Sequence, residues 1–394
     1  MPESSLIGQM FGVNTLIPEG AAWPSAIRVE HGPLSRLPAL FQQPLLNSLE
    51  SLADRYRGPL SFGRGLRSPQ TFDSHANAAS LVHLGLTVYL QDVAGTLNGA
   101  PAFLRQLERE LGVATGSARL SAFASAGDDG VSCHYDAEEV ISIQLLGRKT
   151  FHFAPMTEIP LPYGAQFGPD MVAVENLYEQ ARDGFPDPAH ATFETQEMQP
   201  GSVLYLPRGT WHKTEAQAPS LSLSIVIRPP VVAEVLLGWL KPWLIGDPRW
   251  RLPLYGDVDK ADVQALFSEL AGRLSENAVT PVLRWNAEPS AEESELLRVP
   301  GSHLTWTDSP QASNGLLRPR LQVNALDQDW RPRVTLDSEM PDVLRPAIVW
   351  LQQRQTVFNL HCLSDALPQI AGRDLRQLLD LLVKAHALRP LVPR

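Results

Sequence analysis

Eight residues, Ser220 to Ile227, read Ser-Leu-Ser-Leu-Ser-Ile-Val-Ile. In an extended strand, successive side chains point to opposite faces. Leu221, Leu223, Ile225 and Ile227 therefore share one apolar face, and Ser220, Ser222, Ser224 and Val226 share the other. A helix would scatter both sets. One apolar face and one face of small hydroxyls suit a wall with a core behind it and a cavity in front. The runs SARLSAFASAG (117–127), VISIQLLG (140–147), KTFHFAP (149–155) and GSVLYLPRG (201–209) have the same short, turn-bounded texture. Several such strands predict a sandwich or barrel between about Arg119 and Pro230.

Around this core the pattern changes. PALFQQPLLNSLESLADRY (38–56) predicts a helix with Leu45, Leu46, Leu49 and Leu52 on one face. TVYLQDV (87–93) reads as a strand, and APAFLRQLERELG (100–112) as a helix ending at Gly112. Residues from Ile159 to Gln199 are rich in Pro, Gly and charge, so they form a lid or a partly structured excursion. After Pro230 the chain turns helical. VVAEVLLGWLKPWLIG and DKADVQALFSELAGRLSEN have helical spacing, with Val263, Leu266, Leu270 and Leu274 in the second. In the tail, DVLRPAIVWLQQ, LSDALPQIAG and RDLRQLLDLLVKAHAL give three short helical segments, compatible with a small helical or winged-helix module.

Charge and cysteine content narrow the partners. A formal net charge of −10 over 394 residues argues against a broad nucleic-acid surface and suits a basic partner. Cys133 and Cys362 are too few for a disulfide framework or a structural zinc site and fit a reducing cytoplasm. The N-terminus lacks a basic start followed by an apolar run, and VVAEVLLGWL is about half a membrane span, so a soluble, cytoplasmic protein without membrane contact is expected. No P-loop, GxGxxG fingerprint or GxSxG elbow occurs.

The chemistry concentrates on His134-Tyr135-Asp136 and His212. His134 and Asp136 lie two residues apart, so a strand turns both to one face. Pro207-Arg208-Gly209-Thr210 is a tight turn able to deliver His212 to the same cavity mouth. Two neutral imidazoles and a carboxylate form the facial triad of non-haem Fe(II) oxygenases, with three adjacent positions left for a bidentate co-substrate and O2. Lys149 follows VISIQLLG and a Gly147-Arg148 turn and is expected to start the next strand, where an ammonium can hold the far carboxylate of 2-oxoglutarate.

The stretch from about 120 to 228 resembles the JmjC (cupin-like) Fe(II)/2-oxoglutarate oxygenases. HYDAEEVISIQLLGRKTFHFAP is similar to their first ligand strand and co-substrate lysine, and GSVLYLPRGTWHKTEA to their second-histidine turn. The whole-chain plan resembles the ribosomal-oxygenase branch. This resemblance implies a mainly β core with helices. A JmjC/cupin-like catalytic domain over 1–230, a double-stranded β-helix (jelly-roll) with an N-terminal helical elaboration, is followed by a helical dimerisation region over 231–300 and a winged-helix-like domain over 301–394. It also implies a protein hydroxylase that acts on an Arg or His side chain of a ribosomal protein and converts 2-oxoglutarate to succinate and CO2. Relatives carry Asn and Tyr where this chain has Ser121 and Phe123, and Trp-Arg where it has Phe151-His152. Ser222 or Ser224 is then expected to supply a co-substrate contact. Hydroxylation of another peptide, N-methyl demethylation and a non-catalytic cupin-type binding module remain alternatives.

Other polar residues carry blander expectations. His152 reads as a satisfied barrel histidine, His75 and His83 as structural, Asp128 and Asp129 as a turn, Glu138 and Glu139 as rim residues, and Trp211 as packing.

Overall fold

The computed structural model describes residues 5–19, 23–56, 59–63, 72–74, 77–113, 117–125, 129–164, 166–253, 260–277, 295–309, 318–326, 332–370 and 372–391. The chain divides into two compact units, 1–286 and 287–394. His75 and Asp128 lie outside the described residues.

The strands of the first unit are β1 (Arg28–Glu30), β2 (Leu60–Gly63), β3 (Phe72–Ser74), β4 (Thr87–Leu90), β5 (Ala118–Ser125), β6 (Asp129–His134), β7 (Glu139–Pro155), β8 (Glu194–Met198), β9 (Val203–Leu206) and β10 (Thr210–Ile227). Its α-helices are α1 (Leu6–Phe11), α2 (Leu49–Arg55), α3 (Ala78–His83), α4 (Ala100–Leu111), α5 (Glu175–Gln180), α6 (Val232–Gly246) and α7 (Lys260–Asn277). The strands pair antiparallel in the order β1-β9-β7-β10-β5-β4-β2-β3, with β6 added on β10 and β8 on β7. This is a mainly β core with helices.

β7 and β10 build both walls. They run antiparallel from Thr210 opposite Pro155 to Gln217 opposite Arg148, lose register, and resume from Leu221 opposite Leu146 to Ile227 opposite Glu139. The outer half of β10 also carries β6, and its inner half carries β5. The break lies at Gly147, whose φ is +65°. A Cβ there would sit 2.0 Å from the Pro219 carbonyl oxygen, so only glycine lets the two strands bend past each other. VISIQLLG and KTFHFAP are thus one bent strand rather than two strands joined by a turn, and Lys149 lies within it.

The alternation of Ser220–Ile227 is realised as expected. Leu221, Leu223, Ile225 and Ile227 are buried in the main apolar core with Ile141, Ile143 and Leu120. Each buried side chain of this size contributes about 1.5–3 kcal/mol relative to exposure. The same core takes Leu52, Leu49 and Leu46 from the 38–56 segment, but not as one helix. Two 3-10 turns, Ala39–Gln42 and Pro44–Leu46, precede α2. Pro44 cannot donate a backbone hydrogen bond, and Ser48 caps α2 by accepting from Ser51 N–H at 3.0 Å. α4 ends as expected at Gly112, whose φ is +67°.

The second unit has β11 (Leu296–Arg298), β12 (His303–Ser309), β13 (Arg318–Leu326), β14 (Pro332–Glu339) and β15 (Leu388–Pro390), with helices α8 (Arg345–Gln353), α9 (Leu360–Ala366) and α10 (Gly372–Lys384). Helices form in DVLRPAIVWLQQ and RDLRQLLDLLVKAHAL as their helical spacing predicts, but the middle helix begins earlier than LSDALPQIAG, at Leu360, and ends at Ala366. The β12-β13-β14 sheet does not follow from that spacing. Its apolar positions, such as Leu321 and Val323, are buried against the helices in a core of their own.

Candidate metal centre

β6 ends at His134, and the next residue is tied to the 159–199 excursion. Tyr135 N–H donates to Phe167 O at 2.8 Å, and Phe167 N–H donates back to Tyr135 O at 3.0 Å. The Tyr135 ring is fully buried and packs with Phe167 and Trp211. Because neighbours on extended backbone face opposite ways, anchoring Tyr135 turns His134 and Asp136 toward the cavity. The excursion comes close because residue 168 is glycine. A Cβ there would lie 2.5 Å from Cys133 O. The 159–199 segment is therefore a structured excursion, with α5, a 3-10 turn at Pro188–His190 and β8.

His212 sits on β10 opposite His134 on one side and Phe153 on the other. The preceding turn bends at Gly209, whose φ is +70°. Gly209 N–H donates to Asp136 O at 2.9 Å, which fastens the turn to the loop carrying the carboxylate.

The structure brings His134, Asp136 and His212 together, with one potential ligand atom from each within 4.8 Å of the others. His134 Nε2 is 3.9 Å from Asp136 Oδ1, and His212 Nε2 is 3.6 Å from Asp136 Oδ2. The Nδ1 atoms lie 2.7 Å from Ser132 O and 2.9 Å from Thr210 O. A carbonyl only accepts, so each Nδ1 carries a proton and each Nε2 is the atom turned toward the carboxylate. Burial, followed by the neighbouring His134, lowers the His212 pKa and keeps that imidazole neutral. Two imidazole nitrogens and one carboxylate converging from one side fit a divalent first-row metal with open positions, Fe(II) among them.

The trio opens on a cavity of about 690 Å³. Lys149, which also lines it, is buried. Its ammonium lies 4.6 Å from the Phe123 ring centre and 5.1 Å from that of Phe151. It donates to Ser222 Oγ at 3.4 Å. Desolvation alone pushes its pKa down to about 8. Aromatic faces and one hydroxyl offset only part of the cost of burying a cation, so the position favours an incoming anion. Ser224 lines the cavity opposite Ser121 on β5 and Ser142 on β7.

Three cavity features were missed from the sequence. Tyr89 on β4 lies opposite Phe123, with ring centres 4.5 Å apart, and donates to Ser121 Oγ at 3.0 Å. Ser121 in turn donates to Gln91 O at 2.8 Å. Burial raises the Tyr89 pKa, so the phenol keeps its proton. Alternation in TVYL already sets Tyr89 apart from buried Val88 and Leu90, but its strand partner lies far along the chain. The other features are charged. Arg119 pairs with Glu138 at 3.0 Å, and Arg228 pairs with Glu234 at 2.7 Å. Arg119, Glu138 and Arg228 all line the cavity.

Glu139 corrects an expectation. It is 4% exposed rather than at the rim, and Arg208 holds both its oxygens, with Nη2 to Oε2 at 2.9 Å. Glu139 alternates with cavity-lining Val140, and burial there is affordable because the guanidinium is buried with it. His152 Nδ1 is 3.0 Å from Thr195 Oγ1. Trp211 is 1% exposed and packs as expected, His83 ends α3, and the backbone of Asp129 starts β6.

The JmjC domain family matches residues 105–235. An uncharacterised protein of Bacillus subtilis (strain 168), YxbC, is 27% identical over 190 residues, covering 45% of this chain and 56% of that protein. Among solved structures, Escherichia coli ribosomal oxygenase YcfD is 18% identical with a TM-score of 0.43, covering 94% of this chain and 96% of that one. The YcfD complex with cobalt and 2-oxoglutarate is 17% identical, with a TM-score of 0.43 and the same coverage.

Proposed function

From the JmjC domain carried by residues 105–235, we propose that this chain is an Fe(II)- and 2-oxoglutarate-dependent oxygenase that hydroxylates a side chain of a protein or peptide. One observation carries the reading. The trio of potential ligands and a buried lysine with no carboxylate partner among the described residues line the same cavity.

His134, Asp136 and His212 would hold the metal, and Lys149 with Ser222 would hold the distal carboxylate of 2-oxoglutarate. When bound, iron and 2-oxoglutarate supply O2 activation coupled to decarboxylation, which yields succinate and CO2. The chain's own residues set the conditions. The carbonyls of Ser132 and Thr210 fix the imidazole tautomers. Phe123 and Phe151 keep water from the ammonium. Tyr89 and Ser224 line the same cavity as the ammonium and the trio, and Ser121 accepts from the Tyr89 hydroxyl. The Arg119–Glu138 pair contributes to the polar wall that an entering side chain would meet.

A basic ribosomal protein, modified at Arg or His, is the substrate class we favour. The net charge of −10 supports a basic partner. The reading also includes a cytoplasmic homodimer, with 231–300 as the dimerisation region and 301–394 as the winged-helix-like domain. Val232, Leu237, Ile245, Leu252 and Phe267 are exposed in the α6–α7 region, and Val263, Leu266, Leu270 and Leu274 are only half-buried. Covering them with a second copy would remove apolar surface from water. Light scattering that shows only monomer at micromolar concentration would reject the dimer. No helix among the described residues is long and apolar enough to cross a membrane.

The decisive experiment is anaerobic titration of Fe(II) and 2-oxoglutarate, following the visible charge-transfer band of a chelated keto acid. The band is expected with the unaltered protein and absent in His134→Ala. Its absence from the folded, unaltered protein would reject the oxygenase reading and favour a binding module.

A further inference from the structure

Glu139 and Arg208 stand outside the cavity lining, yet each is tied by sequence to a different member of the trio. Glu139 follows Asp136 by three residues, and Arg208 precedes His212 by four. The guanidinium meets the carboxylate through two parallel bonds, Nε to Oε1 and Nη2 to Oε2, with side-chain exposures of only 8% and 5%. A backbone bond runs alongside, from Gly209 N–H to Asp136 O. Thr210 Oγ1 closes the turn on Pro207 O at 2.6 Å, and Met156 N–H donates to Gly209 O at 3.0 Å. The loop after Asp136 and the turn before His212 are therefore clasped twice, once by backbone and once by the buried ion pair.

Stability alone does not account for this pair. Two charges withdrawn from water repay their desolvation poorly, and apolar residues of similar volume often serve a fold as well or better. A guanidinium–carboxylate fork does supply direction. Its two bonds form together in only one relative orientation of the partners. Here that orientation sets the His212 turn against the Asp136 loop, and across that junction Asp136 Oδ2 and His212 Nε2 stand 3.6 Å apart. We propose that Glu139 and Arg208 are positioning residues that hold Asp136 and His212 at metal-binding separation. The proposal rests on the reading of the trio as a metal site.

Co(II), with its visible absorption, serves as the probe on the full chain, with no co-substrate or turnover involved. The double variant Glu139→Leu/Arg208→Met removes both charges while keeping apolar volume. It is expected to unfold within a few degrees of the parent, yet to bind Co(II) roughly ten- to a hundredfold more weakly. Arg208→Lys keeps the charge and loses the fork, and it covers the case in which the double variant does not fold. It should weaken Co(II) binding several-fold and alter the absorption band. A folded double variant, or Arg208→Lys, that binds Co(II) as tightly as the parent overturns the positioning role. Failure of the parent to bind Co(II), or equal binding by His134→Ala, instead overturns the reading of the trio.

Discussion

The two ends of the cavity hold their polar groups by opposite means. At the outer end, hydrogen bonds fix each imidazole. Ser132 O and Thr210 O take the Nδ1 protons, and Gly209 N–H clamps the Asp136 backbone. At the inner end, Lys149 has one 3.4 Å hydroxyl contact and two aromatic faces. The outer end is preorganised by directional bonds, which suits a metal that tolerates little error in ligand placement. The inner end is poised by desolvation, which suits a charge that an anion neutralises on arrival. A five-carbon dicarboxylate that chelates at one end and ion-pairs at the other would exploit both.

The largest effect should come from breaking the outer end. Asp136→Ala removes the only carboxylate of the trio and should abolish Fe(II)-dependent turnover of 2-oxoglutarate, with the folded state retained by circular dichroism. Persistence of turnover would mean that the metal sits elsewhere. Lys149→Met breaks the inner end while keeping the stem. Removal of a buried charge partner costs about 2–5 kcal/mol. The dissociation constant of 2-oxoglutarate should therefore rise by roughly two orders of magnitude, with Fe(II) affinity unchanged in calorimetry.

A pH series sharpens the contrast, because the Lys149 pKa is pushed down to about 8 in the cavity. A bound carboxylate raises that pKa, so affinity for 2-oxoglutarate should be level below pH 8. Above it, affinity should fall by up to about tenfold per pH unit. Stability of the ligand-free protein should move the other way. The unfolded chain keeps the lysine proton up to about 10.5, so unfolding becomes harder between pH 8 and 10.5. Urea midpoints and ligand titrations on the same samples would check both signs, and a matching trend in the two would refute the assignment to Lys149. The smallest effect belongs to Tyr89→Phe. Loss of one hydroxyl near a charged ligand is worth about 1.5 kcal/mol. A roughly tenfold weaker affinity for 2-oxoglutarate, but not for 2-oxopentanoate, which lacks the distal carboxylate, is expected by anaerobic titration.

Much of the core was legible because local periodicity and burial agree. Ser220–Ile227 alternates, and its apolar positions are buried. APAFLRQLEREL has helical spacing and a glycine stop, and it forms α4. Legibility failed where a residue's fate depends on a partner remote in sequence. One miss was local instead: Pro44, inside the 38–56 segment, splits a run whose leucines fit one helical face, while Leu46, Leu49 and Leu52 still reach the core. Glu139 reads as rim until Arg208 is brought beside it. The β12-β13-β14 sheet precedes the helical tail segments and was not read from the sequence, because strand pairing is non-local.

The sequence alone turned His134 and Asp136 the same way, because a two-residue spacing on extended backbone has that consequence, although β6 ends at His134 and Asp136 follows in the loop. It likewise set the serine face of β10, placed Gly112 at a helix end, and supplied the residue types of a metal-binding trio. Only the tertiary structure decided that His212 meets them, that Lys149 lies buried against two phenylalanines, and that Tyr89 stands beside Phe123. These outcomes depend on how β7 and β10 bend at Gly147 and on which strands then face each other. Periodicity fixes which way a side chain points from its own strand, and packing alone fixes what it meets there.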